Sequence, residues 1–339
     1  MEPDQKYMRR ALELAAHGRG ATSPNPMVGA VIAAPDGRII GEGYHRRCGE
    51  GHAEVNAIAS VSESDRPLLA DSTMYVTLEP CSHYGKTPPC AELIIRTGIP
   101  RVVVGATDPF VSVSGRGIAM LRRAGVEVAT GMLAEESRQL NARFMTAHEQ
   151  QRPWITLKWA QSSDGFIDSD RPDGLPHRFS NMLTSTLSHR LRSLHDAILV
   201  GSGTVLADRP RLDCRLWPAA RQPRPVILDR RGRIGKADIS TASEPLTFTG
   251  EIPLSQVMSL LYKKGITSVL VEGGATVLQA FINSGLWDMA RVESSPEALG
   301  SHGTVRAPVL ARQPVHSDIF DGNRVEIFSN NGLFSVKNL

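Results

Sequence analysis

Two short stretches hold side chains that could bind a metal together: His52-Ala53-Glu54, and the run from Pro80-Cys81 to Pro89-Cys90. One imidazole and two thiolates, from His52, Cys81 and Cys90, suit a zinc ion. Three protein ligands leave the fourth tetrahedral position open, which marks a catalytic rather than a closed structural site. A water held there loses a proton near neutral pH and becomes a nucleophile. Glu54 stands two residues from His52 at the start of a predicted helix. It can approach such a water without ligating the metal, so it is the expected proton shuttle. A closed structural site would need a fourth ligand, and only His83 is close enough in sequence to apply.

Taken singly, a histidine or cysteine is an ordinary packing residue, and Cys48 and Cys214 are read that way. The composite is more specific, because a histidine-x-glutamate followed by proline-cysteine is the arrangement of zinc-dependent deaminases. The eight residues between Cys81 and Cys90 exceed the usual two. Lys86 lies in that insert, pinned between two ligands, and Asn25 and His45 fall beside the ends of predicted strands.

The second half offers scattered glycines and small hydroxyl residues just after apolar runs: LKWAQSSDG (157–165), AILVGSGTVLADRPRLDCR (197–215), PVILDR (225–230) and VEGGATVLQAFI (271–282). Ligands sit outside the carboxyl ends of such strands, although no GxGxxG follows the first of them. Gly273 and Gly274 precede a predicted helix, whose first amides would suit a pyrophosphate. Any one of these glycines alone would be read as a tight turn.

The elements that must position these residues alternate in period. Residues 4–18 place Met8, Ala11, Leu12 and Ala15 on one helical face. The runs 27–34 and 38–45, joined by Pro35-Asp36-Gly37, read as a hairpin. Further strands are expected at 73–78, 101–105 and 126–129, with helices from His52, at 89–97, at 115–124 and at 133–147. The polar stretch 148–153 ends in proline and reads as a linker. Beyond it, strands at 154–160, 197–201, 225–229, 268–272 and 288–294 accompany helices at 182–195 and 275–284, and 206–224 reads as a surface loop. The fold class is α/β, with mostly parallel sheets covered on both faces.

Composition bounds the functional class. The 339 residues suffice for two domains with separate cores. Hydrophobic residues at 41% and charged residues at 22% exclude a disordered or collagen-like chain. No apolar run reaches the roughly 18 residues that span a bilayer, and the N-terminal helix lacks a signal peptide's apolar core. A formal charge of +3 with only 5% aromatics gives no basic, aromatic-interleaved face for a nucleic-acid base deaminase. Four cysteines are too few for a disulfide scaffold of this size. The expectation is a cytoplasmic enzyme acting on a small molecule, with no nucleic acid or membrane partner, assembled as a homo-oligomer.

PNPMVGAVI, HAEVNAI, VTLEPCSHYGKTPPC and GRG (115–117) closely resemble the deaminase domain of the bacterial RibD/RibG family of bifunctional riboflavin-biosynthesis enzymes, over residues 4–147. The resemblance implies a cytidine-deaminase-like fold with one zinc per chain on His52, Cys81 and Cys90, and Glu54 as the catalytic acid–base. It further implies hydrolytic removal of the 2-amino group of a diaminopyrimidinone ribosylamine phosphate, held by Asn25, His45 and Lys86. More loosely, residues 153–330 resemble the reductase domain of that family, with a dihydrofolate-reductase-like fold that uses NADPH to reduce the ribosyl side chain to ribityl. The implied cofactor contacts are Ala160, Thr204, Asp208, Gly274, Ala275, Thr276, Val277, Leu278, Gln279 and Ala280, with Asp208 also catalytic. Lys158, Arg192, Leu212, Arg215 and Glu272 would face the substrate, arginine suiting its phosphate. The expected domains are 1–147, the deaminase, and 148–339, the reductase. Where the family commonly has Gly-x-Ser-x-Trp, GLPHRFSN (174–181) puts Pro176 and Arg178 in the serine and tryptophan places. The stacking partner for the nicotinamide is then either lost or replaced by Phe179, and Arg178 is a cation for the 2′-phosphate or the pyrophosphate of the cofactor. The alternative is a deaminase whose second domain binds the nucleotide without reducing anything.

Overall fold

The computed structural model describes residues 3–84, 88–110 and 114–330. It divides into two compact units, Met1–Gln150 and Gln151–Leu339.

Unit 1 contains, in order, α1 (Pro3–Ala16), β1 (Gly29–Ala33), β2 (Ile39–Tyr44), α2 (Ala53–Ala59), β3 (Thr73–Leu78), α3 (Cys90–Thr97), β4 (Arg101–Ala106), α4 (Arg116–Arg123), β5 (Glu127–Thr130), α5 (Ala134–Leu140) and α6 (Ala142–Gln150). Its sheet has the order β2-β1-β3-β4-β5. β1 pairs antiparallel with both neighbours, while β3, β4 and β5 run parallel. The sheet is thus half antiparallel rather than mostly parallel, because the hairpin at Pro35-Asp36-Gly37 supplies two of its strands. Strand period divides the apolar residues between two cores. Ala30, Ile32, Met74, Val76, Val102 and Val104 pack beneath α2, α3 and α4, and Val31, Ala33, Tyr75 and Val103 meet Tyr7, Met8, Ala11 and Leu14 of α1.

The single helix expected at 133–147 is two helices broken at Asn141. The Asn141 side chain binds a distant loop instead: it accepts from Met27 N–H and donates to Met27 O, both at 2.8 Å. The expected linker is also shorter, since α6 continues through Gln150.

Unit 2 contains β6 (Trp154–Gln161), β7 (Phe166–Ser169), α7 (Met182–Ser193), β8 (Ala197–Gly201), α8 (Ser202–Asp208), β9 (Arg224–Asp229), β10 (Leu246–Thr249), α9 (Leu254–Lys263), β11 (Ser268–Val271), α10 (Ala275–Asn283), β12 (Met289–Ser294), β13 (Gly303–Arg306), β14 (His316–Phe320) and β15 (Asn323–Ser329). The main sheet has the order β10-β9-β8-β11-β6-β12-β15-β14. It is parallel from β10 to β12 and closes with the antiparallel pairs β12–β15 and β15–β14. One face carries Ile155, Leu157, Leu199, Val269, Val271 and Ala290 against α9 and α10. From the opposite face, α7 makes polar contacts: Arg192 reaches Glu272, Ser188 reaches Arg291, and His195 beyond the helix reaches Thr156. α7 begins at Asn181, whose side chain accepts the Thr184 N–H at 2.8 Å and caps the first turn. The expected loop 206–224 gives its first three residues to α8.

Candidate functional site

In unit 1, His52 caps α2, Cys90 opens α3, and Cys81 follows β3. Three elements therefore deliver one ligand each. The ligand atoms lie within 4.8 Å of one another, and among the described residues this cluster is His52, Cys81 and Cys90. His83 lies on the wall of the adjoining cavity but is not part of the cluster. Cys90 Sγ is 3.3 Å and Cys81 Sγ 3.6 Å from His52 Nδ1, and Cys90 N–H donates to Cys81 Sγ at 3.3 Å.

The donor set fits a dication. Hydrogen bonding from Cys90, with help from His52, holds the Cys81 thiol down at about 4. The same contact with Cys81, reinforced by burial, pushes the Cys90 thiol up. Two sulfurs this close share one negative charge, and a cation between them would let both ionise.

Glu54 sits in the first turn of α2 and is buried. Burial, then the neighbouring Cys81, raises its carboxyl to about 7, where it can hold or release a proton near neutrality. Glu54, His52 and Cys81 open on a cavity of ≈ 400 Å³ that Asn25 and His45 also line. His45 Nδ1 lies 3.1 Å from Gly51 O, and its Nε2 lies 3.3 Å from Asn25 Nδ2. A neutral ring satisfies both contacts if Nδ1–H donates and Nε2 accepts from the amide. Burial holds the His45 pKa below its ordinary value, which favours that neutral form. Asn25 then has its amide oxygen left as an acceptor on the cavity. The structure thus brings together His52, Cys81, Cys90, Glu54, Asn25 and His45. Lys86, with Thr87, lies outside the described residues.

Other residues on this wall escaped sequence reasoning. Asp108 lines it, with burial raising its carboxyl to about 6, as do Phe110, Phe144 and His148, whose rings stack edge to face. Glu79 lines it too, and its buried carboxylate accepts N–H groups from Gly115, Gly117 and Ile118 at 3.0, 3.0 and 3.3 Å. A Cβ on Gly117 would stand 1.9 Å from Pro80 O. Glu79-Pro80-Cys81 and Gly115-Arg116-Gly117 are two halves of one contact, which only the fold brings together.

In unit 2 the expected residues fall into several groups. Thr204, Gly274, Thr276, Val277 and Ala280 line a cavity of ≈ 790 Å³ at the carboxyl ends of β8, β9, β10 and β11. Ala275 begins α10, Leu278 is packed in the core, and Gln279 bonds Asn283 and Val309. Asp208 ion-pairs with Arg171 at 2.8 Å, and Ala160 packs against Phe166, Phe179 and Leu299. Phe179 is buried in that cluster, and Arg178 does not line the cavity, whereas Arg230, Arg231 and Arg233 do.

Lys158, Arg192 and Glu272 form a second group beneath α7. Arg192 grips Glu272 through two hydrogen bonds of 2.9 and 2.6 Å and also donates to Asp213 O. Burial alone would raise the Glu272 carboxyl, but Arg192 overrides it and holds the group at about 2. Burial lowers Lys158, opposed by Glu272 and Glu293. Arg291, paired with Lys158 across β6–β12, is itself buried beside Glu293. Leu212 is buried with φ 52, and Arg215 is half exposed and pairs with Asp213.

Known proteins agree with both halves. The family described as "RibD C-terminal domain" matches residues 153–316, and "Cytidine and deoxycytidylate deaminase zinc-binding region" matches 1–106. The Bacillus amyloliquefaciens riboflavin biosynthesis protein RibD is 39% identical, over 93% of this chain and 90% of that one. The Escherichia coli RibD is 38% identical, over 88% and 89%. A crystal structure from Thermotoga maritima, described as a diaminohydroxyphosphoribosylaminopyrimidine deaminase/5-amino-6-(5-phosphoribosylamino)uracil reductase, has a TM-score of 0.83 at 36% identity, covering 96% of this chain and 98% of that one. Acinetobacter baumannii RibD, form 1, has a TM-score of 0.85 at 32% identity, covering 97% and 99%.

Proposed function

The chain belongs to the RibD family, and from that premise we propose the following division of labour between its two units. It is a bifunctional enzyme of riboflavin biosynthesis. Unit 1 deaminates 2,5-diamino-6-ribosylamino-4(3H)-pyrimidinone 5′-phosphate, and unit 2 then reduces the ribosyl side chain with NADPH to give 5-amino-6-ribitylaminouracil 5′-phosphate. The observation that carries the reading is the convergence of His52, Cys81, Cys90 and a buried Glu54 on the cavity that Asn25 and His45 line.

His52, Cys81 and Cys90 would hold a zinc ion, which when bound would supply a Lewis acid that makes water nucleophilic near neutral pH. Glu54 would take up a proton from the attacking water on its carboxylate and return it to the departing amino group, so that water is consumed and ammonia released. The Asn25 amide oxygen accepts from a ring N–H or amino group, and its orientation is fixed by the bond to His45. His45 stays neutral, so it adds no charge against the metal.

In unit 2, NADPH supplies a hydride when bound. Thr204, Gly274, Thr276, Val277 and Ala280 would hold it, and the first turn of α10 would supply N–H groups to an anion. Glu272 remains ionised and has lone pairs to accept ribosyl hydroxyls, and Arg192 is spent on orienting it. Lys158 brings a cation to the same face for an anionic substrate. Its substrates being small soluble metabolites, the enzyme would work in the cytoplasm.

The test is to give the purified full chain its diaminopyrimidinone substrate, with and without NADPH, and to follow ammonia release and NADPH oxidation separately. Both are expected, ammonia without any need for NADPH. Ammonia release with no NADPH oxidation would leave a deaminase with a nucleotide-binding second unit.

A further inference from the structure

Unit 2 has a further cavity, of ≈ 260 Å³, lined by α7 and by the hairpin of β14 and β15. It shares no lining residue with the metal-site cavity or with the cavity at the carboxyl ends of β8 to β11. Leu187, Leu191 and Leu194 recur at the spacing of one helical face and form one wall, and Phe320, Val325 and Ile327 form the other. Strand register makes the floor. Lys158, Arg291, Ile327 and His316 stand in one row across β6, β12, β15 and β14, so an arginine separates this apolar cavity from the Lys158 group.

Arg291 is only 4% exposed, and its charge is incompletely met. Its Nη1 reaches Ser188 Oγ at 3.4 Å and Glu293 Oε2 at 3.5 Å, both long contacts. Its Nη2 is buried and has no hydrogen-bond partner among the described residues. Glu293 is engaged elsewhere, accepting from Asn323 Nδ2 at 2.6 Å and from Ser180 Oγ at 3.0 Å. A buried donor without an acceptor is costly, and more so when it carries a charge, so this corner of the fold favours an anionic acceptor. Arg190 brings a second guanidinium to the wall, over the Trp217 ring at 5.7 Å and with no hydrogen-bond or ion-pair partner among the described residues. The acid on the wall, Asp318, is taken by His316 Nε2 at 2.6 Å. The charge left to meet a ligand is therefore positive.

We propose that this cavity binds a small carboxylate with an apolar body. The carboxylate oxygens accept from Arg291 Nη2 and from Arg190, and the body lies between the leucines of α7 and the β14–β15 hairpin. Guanidinium groups match a carboxylate through charge-assisted hydrogen bonds, and apolar walls disfavour the more strongly hydrated phosphate dianion. The site is separate from the reductase group, since Arg192, Leu212, Arg215 and Glu272 take no part in its walls.

Calorimetric titration of the full chain with benzoate, benzamide and acetate tests the proposal. Benzoate should bind at least about tenfold more tightly than benzamide, which has the ring without the charge, and than acetate, which has the charge without the ring. Arg190→Gln should weaken benzoate by about five- to twentyfold, and Leu187→Trp, which fills the cavity, should abolish its binding. Arg291→Met is made together with Glu293→Gln, so that no buried carboxylate is left uncompensated, and should lose benzoate with an unchanged circular dichroism spectrum. If that double variant does not fold, the two substitutions on α7 decide. No binding of benzoate at about 10 mM would overturn the proposal. So would equal affinity for benzoate and benzamide. Benzoate affinity unchanged in both Arg190→Gln and Leu187→Trp would overturn it as well, because the anion would then sit elsewhere.

Discussion

The carboxylate of Glu79 accepts the backbone N–H of Gly117 at 3.0 Å, and this bond ties the strand end that carries Cys81 to the first turn of α4. A buried carboxylate is stable there because its oxygens meet N–H groups that a helix start leaves without intrahelical partners. Glu79→Gln replaces an acceptor oxygen by a donor against those N–H groups. It should destabilise unit 1 by about 2–4 kcal/mol, read from urea unfolding. Gly117→Ala should displace Pro80-Cys81 and lower zinc content. Unchanged stability and zinc in both variants would show that α4 does not support the metal loop.

Glu54→Gln should keep zinc, because the residue is not a ligand, yet lower ammonia release by about 10²–10⁴-fold. Elemental analysis and an ammonia assay on the same preparation separate the two effects. Near-normal release would mean that another group moves the proton.

The two sites were unevenly legible in the sequence, for physical reasons. His52, Glu54, Cys81 and Cys90 stand out because coordination chemistry restricts residue type and spacing together. Glu79 does not, since any buried carboxylate reads alike until its partners, more than thirty residues away, are known. Asn141 broke a helix that periodicity would have continued, because tertiary hydrogen bonds outweighed local preference. The strands β14 and β15 were within reach: Asp321 and Gly322 both have positive φ between two alternating runs, which is the two-residue hairpin signal. In unit 2 the strand within PVILDR was legible, while its register with β10 was not.

Cys81→Ser should lose zinc and ammonia release together while NADPH oxidation with the deaminated intermediate continues, because the ligands all lie in unit 1. Chelation of wild type should do the same, reversibly on adding zinc back. Parallel loss of both activities would contradict independent sites.

Glu272 predicts an acid limb in stability. Its folded pKa of about 2 lies below the ordinary 4.5, so on acidification the unfolded chain takes up the proton first. The stabilisation, on the order of 3 kcal/mol, is fully present above about pH 4.5 and is lost as pH falls toward 2. Glu272→Gln leaves Arg192 buried without its counter-ion and should cost about 3–5 kcal/mol at pH 7. The gap from wild type should then narrow below pH 4.5 in urea titrations. A gap independent of pH would mean that the pair is not ionised as described.

The pair of hydrogen bonds between Asn141 and Met27 spans 114 residues of chain. Synthesis proceeds at about 5–20 residues per second, so the loop carrying Asn25 waits between about 6 and 23 s for the side chain that fastens it. During synthesis the metal ligands and α2 are all available before that clamp exists. The wall that Asn25 lines is therefore fastened only after the metal ligands have been made, and a nascent chain stalled before Asn141 would have those ligands without the bonds that hold the Met27 loop.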